Sequence, residues 1–122
     1  MTLPLVPGLR VHVAPGATDM RKSFNGLVAA TREVLGKDPL SGHLFAFCNR
    51  RRTLLKLLLW DGTGFWVFAK RLERGTFAWP TPGPGADTVS LSGEELAALL
   101  GGFALDPRTR RRWWRRPLSR AR

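Results

Sequence analysis

The side chains that could carry out catalysis are few and are spread along the sequence. The two histidines, His12 and His43, are far apart, and each lies in a stretch whose apolar pattern predicts a β-strand. No carboxylate is placed to orient either imidazole, so a nucleophile–base pair or a metal site would need long-range geometry that the sequence does not reveal. The chain contains no tyrosine, which excludes a tyrosine-nucleophile recombinase.

Acidic residues offer a second route to catalysis. Four of them could be arranged as metal-binding carboxylates for phosphoryl transfer: Asp19, Asp38, Asp61 and Glu73. However, Asp61 is explained by a β-turn and Asp19 by a helix cap, and no glycine-rich phosphate loop precedes a helix. We therefore expect no catalytic residue, no metal and no cofactor, with a metal-dependent nuclease as the less favoured alternative.

The basic residues are more informative. The chain has 20 Lys and Arg against nine Asp and Glu, a net charge of +11. Residues 108–122 contain eight arginines and no acid, so this segment carries +8 and residues 1–107 carry +3. A basic body joined to a basic tail indicates a polyanionic partner, most often nucleic acid.

Residues 50–74 are predicted to form the central element of the fold, a β-hairpin. The Asp-Gly pair at Asp61 and Gly62 lies between two apolar runs, which predicts a β-hairpin that turns at 61–64. Because side chains alternate across a strand, one hairpin face is predicted to be core and comprises Leu55, Leu57, Leu59, Trp66, Phe68 and Leu72. The other face is apolar but carries cations at its open end; it comprises Arg50, Arg52, Leu54, Lys56, Leu58 and Trp60, opposite Phe65, Val67, Ala69 and Arg71. This second face is either an interaction surface or a surface covered by a helix, with the cations reaching out at its margin.

The remaining pattern predicts the other elements. Strands are expected over 9–13, 43–48 and 76–79, with a further edge strand over 88–90. A helix is expected from Thr18 or Asp19 to about Leu35, and a second one after a capping box at 92–95. The buried stripe of the first helix is predicted to be Met20, Phe24, Leu27, Thr31, Val34 and Leu35, and that of the second Leu96, Leu99, Leu100 and Phe103.

These elements predict an α+β fold with a mostly antiparallel sheet around the central hairpin and two helices packed on it. Residues 1–107 are expected to form one domain, followed by a disordered Arg/Trp-rich tail over 108–122. The single Cys48 excludes a disulfide framework and is expected to be buried. The absence of a signal-peptide pattern and of a long apolar run predicts a cytoplasmic protein without a membrane partner.

Cationic side chains are the candidate nucleic-acid contacts. In the body they are Arg21, Lys22, Arg50, Arg51, Arg52, Lys56, Lys70, Arg71 and Arg74. Arg21 and Lys22 are predicted in the first turn of the first helix, where free N–H groups would favour a phosphate. In the tail the candidates are Arg110, Arg111, Arg112, Trp113, Trp114, Arg115 and Arg116, since guanidinium groups pair with phosphate and indoles stack on bases. The less favoured alternatives are a tail without a specific role and, last, a tail that acts at a membrane surface.

Several segments resemble one family in a single order along the chain. The matching motifs are GLRV at 8–11, TDMRKxFxGL at 18–27, DPxSGHLF at 38–45, KxLxWDGxG at 56–64, AKRLExGxFxWP at 69–80 and LxxLLxG at 96–102. They resemble the TnpB accessory family of insertion-sequence family 66, the product of the second open reading frame of such elements. The tail is not part of this pattern.

The resemblance implies a role in transposition of a bacterial mobile element, beside a separate and larger transposase. Together with the basic composition, it favours a non-catalytic accessory protein that binds DNA, bridges DNA to the transposase, or both. The alternative is a protein-interaction subunit without direct DNA binding, which would dock the transposase or a second copy through Leu58, Trp60, Phe65 and Val67.

Overall fold

Five strands form a single sheet in the computed structural model, which describes residues 8–102. In chain order they are β1 (Val11–Val13), β2 (Leu44–Cys48), β3 (Leu54–Trp60), β4 (Phe65–Arg71) and β5 (Val89–Leu91). Their order across the sheet is β4-β3-β2-β1-β5. Only β1 and β2 run parallel, and the other three pairings are antiparallel. The predicted α+β fold with a mostly antiparallel sheet is confirmed.

The β3–β4 hairpin has the predicted turn. Leu54 pairs with Arg71 at its open end and Trp60 with Phe65 beside the turn. The Asp61 carboxylate closes the turn by accepting hydrogen bonds from the backbone of Thr63 and Gly64 and from the indole of Trp66. These bonds, led by that from the Thr63 backbone, hold the pKa of Asp61 well below its usual range.

The sheet is covered on both faces, and the alternation of β2 shows this most directly. Leu44, Ala46 and Cys48 belong to one apolar cluster, whereas Phe45 and Phe47 belong to another on the opposite face. All five β2 residues are buried, as expected for a central strand with both faces covered. The predicted burial of Cys48 is confirmed, and burial raises the pKa of its thiol.

Helix α1 (Phe24–Glu33) covers the cationic face of the hairpin. Leu27 and Ala30 of α1 lie in the same cluster as Leu58 of β3, with Phe65 and Val67 of β4 at its margin. Of the two possibilities that the sequence left open for this hairpin face, the helix-covered one is therefore correct at Leu58 of β3, whereas Phe65 and Val67 of β4 are only partly covered.

The start of α1 differs from the prediction. The N-cap is Ser23, so Arg21 and Lys22 precede the helix instead of lying in its first turn. The reason is a local turn in which Asp19 accepts hydrogen bonds from the backbone of Arg21 and, through its carbonyl oxygen, from the backbone of Lys22. Of the predicted buried stripe, Leu27, Thr31 and Leu35 are buried, whereas Phe24 and Val34, at the two ends of the helix, are exposed.

Helix α2 (Gly93–Leu100) packs on the opposite face of the sheet. Its predicted capping box is present, because the Ser92 hydroxyl accepts from the Glu95 backbone and the Glu95 carboxylate accepts from the Ser92 backbone. Leu96 and Leu99 are buried against the strands as predicted.

Two expectations about strands need correction. Residues 76–79 form no strand, because Phe77 and Trp79 are held across loops: the Phe77 backbone donates to Arg52 and the Trp79 indole donates to Ala14. Residues 49–53 form a loop, so Arg50 and Arg52 are not strand residues. The predicted tail residues, Phe103 and the domain boundary at 107 lie outside the described residues.

We expect Leu58→Ala to destabilise the protein by about 2–5 kcal/mol, because Leu58 is fully buried between the sheet and α1 and its truncation leaves a cavity. Leu40→Ala is the matched control; its side chain is 48% exposed, and the expected change is within about 0.5 kcal/mol. Urea denaturation measures both values. Similar effects of the two changes would contradict the burial of this face.

Candidate nucleic-acid interface

Three loops meet at one end of the sheet. They follow β1, β2 and β4, whose C-terminal ends lie at the same edge because of the pairing directions. We call loops 14–23, 49–53 and 72–77 together the loop end. Backbone hydrogen bonds tie it together: Thr18 donates to Cys48, Leu72 donates to Thr53, and Phe77 donates to Arg52.

Asn49 gives the central loop a fixed shape. Its side-chain oxygen accepts from the backbone of Thr53 at 2.9 Å and of Leu54 at 3.1 Å, while its amide nitrogen donates to the Thr53 hydroxyl at 3.1 Å. The Arg52 backbone in turn donates to the Asn49 carbonyl at 3.1 Å. These bonds close the loop and fix the backbone that carries Arg50 and Arg51. This role of Asn49 was not predicted, although asparagine is favoured in turns and could have indicated it.

Arg52 has a structural role. Its backbone has a φ of 59°, in the left-handed region that residues other than glycine rarely adopt. Its guanidinium donates to the carbonyl oxygens of Pro15, Gly16 and Asn49 and lies over the Trp79 ring at 5.5 Å. The side chain therefore joins loops 14–23 and 49–53 to the Trp79 ring.

Lys56 is also used internally. Its Nζ donates to the carbonyl oxygens of Met20 and Lys22, both at 2.8 Å. These bonds hold the residues that precede α1 against β3. The position of this ammonium group makes it a bridge within the protein and leaves one N–H for other contacts.

Three further predicted contacts have partners. Lys70 donates to the Leu100 carbonyl at the C-terminal end of α2. Arg71 pairs with Glu73 at 3.1 Å and Arg21 with Asp19 at 2.7 Å, and both pairs are exposed to solvent. The Arg21 guanidinium holds the pKa of Asp19 well below its usual range.

The other four predicted body residues are exposed and have no side-chain hydrogen bond or ion pair with any residue in 8–102; they are Lys22, Arg50, Arg51 and Arg74. All four belong to the loop end. Its three loops contain six cations and two acids, a net charge of +4, whereas the rest of residues 1–107 has a net charge of −1. The positive charge of the body is thus concentrated at this end of the sheet.

The predicted protein-interaction residues divide into two groups. Leu58 is completely buried and belongs to the core, which corrects its assignment to an interaction surface. Trp60, Phe65 and Val67 are half-buried. The rings of Trp60 and Phe65 lie 4.9 Å apart beside the hairpin turn.

The parallel pairing of β1 with β2 brings the two histidines together. Their ring centroids are 5.6 Å apart, and His12 stacks on Phe45 at the same distance. His43 accepts a hydrogen bond at Nδ1 from the Arg10 backbone. Burial, followed by the nearby charges of Lys37, His43 and Arg10, lowers the pKa of His12. Sequence separation hid this pair, since only the strand pairing reveals it.

Residues 8–102 were also compared with the requirements for metal binding and for membrane-spanning helices. No cluster of three or more His, Cys, Asp or Glu side chains there could hold a metal ion. Neither helix in this range is long and apolar enough to cross a membrane.

Comparison with known proteins identifies the class and then the family. Residues 9–110 match the family model described as IS66 Orf2 like protein, TnpB, so the chain belongs to this family of insertion-sequence proteins. It is 42% identical over 113 residues to uncharacterized protein y4hO of Sinorhizobium fredii (strain NBRC 101917 / NGR234), covering 93% of this chain and 95% of the relative. It is 39% identical over 96 residues to uncharacterized protein y4jC of the same strain, covering 79% and 80% of the two chains. No solved structure matches the chain. The resemblance to insertion-sequence family 66 is confirmed, and the family associates the chain with transposition.

We expect Lys56→Met to destabilise the fold by about 1.5–3 kcal/mol, because the carbonyl oxygens of Met20 and Lys22 lose a charged donor. Arg50→Met removes a free cation from the same end of the sheet and is expected to change stability by less than about 0.5 kcal/mol. Urea denaturation of both variants measures the difference. An unchanged free energy of unfolding for Lys56→Met would contradict the internal role.

Proposed function

We propose that this protein is a non-catalytic accessory factor in transposition that binds the DNA of its insertion sequence and works beside the transposase in the cytoplasm. The observation that carries the proposal is a group of exposed cations at the loop end that form no side-chain hydrogen bond or ion pair within residues 8–102: Lys22, Arg50, Arg51 and Arg74. Membership in the IS66 Orf2 like family supplies the biological setting.

The chemistry of the loop end fits the DNA backbone. Guanidinium groups donate two parallel hydrogen bonds to a phosphate, and the fixed loop at Asn49 carries the consecutive residues Arg50 and Arg51. Contacts to phosphate set the position of a protein on DNA but carry little sequence information. The body is therefore proposed to bind duplex DNA with weak sequence preference.

The paired and internal cations have a supporting role in this proposal. Arg52 and Lys56 fix the loops that carry the free cations, and their own N–H groups are mainly used on backbone carbonyls. We therefore propose Lys22, Arg50, Arg51 and Arg74 as the direct contacts of the body and Arg52 and Lys56 as positioning residues.

Arg50→Ala with Arg51→Ala should weaken DNA binding and reduce the slope of log K against log salt by about 2, because each lost phosphate contact removes about 0.9 from the slope. The matched control is Arg32→Ala with Lys37→Ala, which makes the same charge change at exposed positions of α1 and the segment after it. The control is expected to leave the slope unchanged. Fluorescence anisotropy with a duplex across salt concentrations measures both. Equal reductions in the two variants would mean that only overall charge matters.

A second candidate is a protein-interaction subunit that docks the transposase through the hairpin. The half-buried Trp60–Phe65 pair favours it, since aromatic residues that are partly exposed are frequent at protein interfaces.

If this candidate is correct, Trp60→Ala with Phe65→Ala will abolish co-purification with the transposase of the same element and leave the salt slope of DNA binding intact. Val34→Ala with Leu40→Ala is the control, since both side chains are exposed aliphatic groups elsewhere on the surface. A hairpin variant that loses DNA binding but retains the transposase would reject the candidate.

A further inference from the structure

Strand β4 is an edge of the sheet and presents an aromatic surface. Trp66 is 47% exposed, and its ring is stacked on Phe68 with 5.8 Å between centroids and 6° between planes. Lys70 lies on the same face of the strand, two residues further along. Edge strands of this length usually carry protection against pairing, because their free N–H and C=O groups bind other strands.

The hairpin register shows which backbone groups are free. Asp61 donates to Gly64, and Leu72 donates to Thr53, so 61/64 and 53/72 are hydrogen-bonded pairs. Because such pairs alternate along an antiparallel ladder, residues 66, 68 and 70 direct their backbone groups toward β3. The N–H and C=O groups of residues 65, 67, 69 and 71 therefore point away from the sheet, and no strand within residues 8–102 pairs with them.

We propose that β4 pairs in antiparallel orientation with β4 of a second copy of this chain, about a twofold axis at Phe68. This register overlaps the whole strand, since Phe68 is the middle residue of Phe65–Arg71. This register also brings the outward N–H and C=O groups of the two strands together, because Phe65 faces Arg71 of the second copy and Val67 faces Ala69 of the second copy. About eight hydrogen bonds can form in this way. If the twofold axis lay between two residues, the outward N–H and C=O groups of one copy would face residues of the other copy whose backbone groups are already bonded to β3.

The side chains complement each other in the same register. Lys70 lies opposite Trp66 of the second copy, and Arg71 lies opposite Phe65, so the alkyl part of each cationic side chain can pack beside an aromatic ring while Lys70 keeps its bond to Leu100 and Arg71 its pair with Glu73. Shifting the twofold axis to Lys70 would instead oppose two lysines, which is destabilising. The two Phe68 side chains meet at the axis, beside the two Trp66 rings. The surface is thus self-complementary, as a twofold interface requires.

Paired cysteine variants test both the dimer and its register. Positions 66 and 70 of opposite copies form a pair without backbone hydrogen bonds, with Cα atoms about 4.5 Å apart, which is within disulfide range. Two copies of the same position lie four residues apart along the strands, about 13 Å, which is out of range. Mild oxidation should therefore give a covalent dimer from an equimolar mixture of Trp66→Cys and Lys70→Cys, and none from either variant alone.

The wild-type chain controls for cross-linking through Cys48. No covalent dimer is expected from it, because the Cys48 side chain is fully buried. Non-reducing electrophoresis reads the result, with a single chain at 13.6 kDa. Equal cross-linking in the separate variants and in the mixture would overturn the register. No cross-linking in the mixture would overturn the dimer.

Ala69→Pro gives a second test that uses no cysteine. It removes an outward N–H and leaves the β3–β4 ladder intact, and proline is tolerated at such edge positions. Sedimentation equilibrium should show a dimer for the wild-type chain and for Ala69→Val, and a monomer for Ala69→Pro. A wild-type monomer that acquires a partner only when transposase is added would overturn the proposal and assign the edge to a different chain.

Discussion

The structure depends on two cationic side chains that donate hydrogen bonds to backbone carbonyl oxygens. Arg52 binds the carbonyls of Pro15 and Gly16, and Lys56 binds those of Met20 and Lys22, so both hold the connection between β1 and α1 against the sheet. Without a donor, the partly buried carbonyls of Pro15 and Met20 would carry a desolvation cost. These bonds act together with the apolar packing of Leu27 against Leu58, which holds α1 over the sheet.

The same constraint separates the cations into two functional groups. Those bonded to carbonyls or carboxylates have a defined place within the protein, whereas the four exposed ones at the loop end make no such bond within residues 8–102 and are the contacts that we propose for DNA. Because acidic residues outnumber basic ones in the rest of residues 1–107, the positive field of this part of the chain comes from the loop end. An accessory protein of transposition can use such an arrangement to engage DNA without catalytic chemistry of its own.

Much of the fold could be predicted because local signals agreed with each other. The Asp-Gly turn set the hairpin register, and the capping box at Ser92 and Glu95 set the start of α2. The predicted start of α1 was wrong because an aspartate such as Asp19 can cap a turn as readily as a helix. The sequence pattern does not distinguish these two uses. Which cations are free was not predictable either, since the bonds of Arg52 and Lys56 span more than thirty residues of sequence.

The most direct test of the account is an NMR titration of the full chain with a short DNA duplex at low salt, following amide and arginine side-chain signals. The account predicts that the largest shifts occur in loops 49–53 and 72–77 and around Lys22, with little change at the hairpin turn 61–64. Shifts centred on the hairpin turn, or spread evenly over both ends of the sheet, would contradict it.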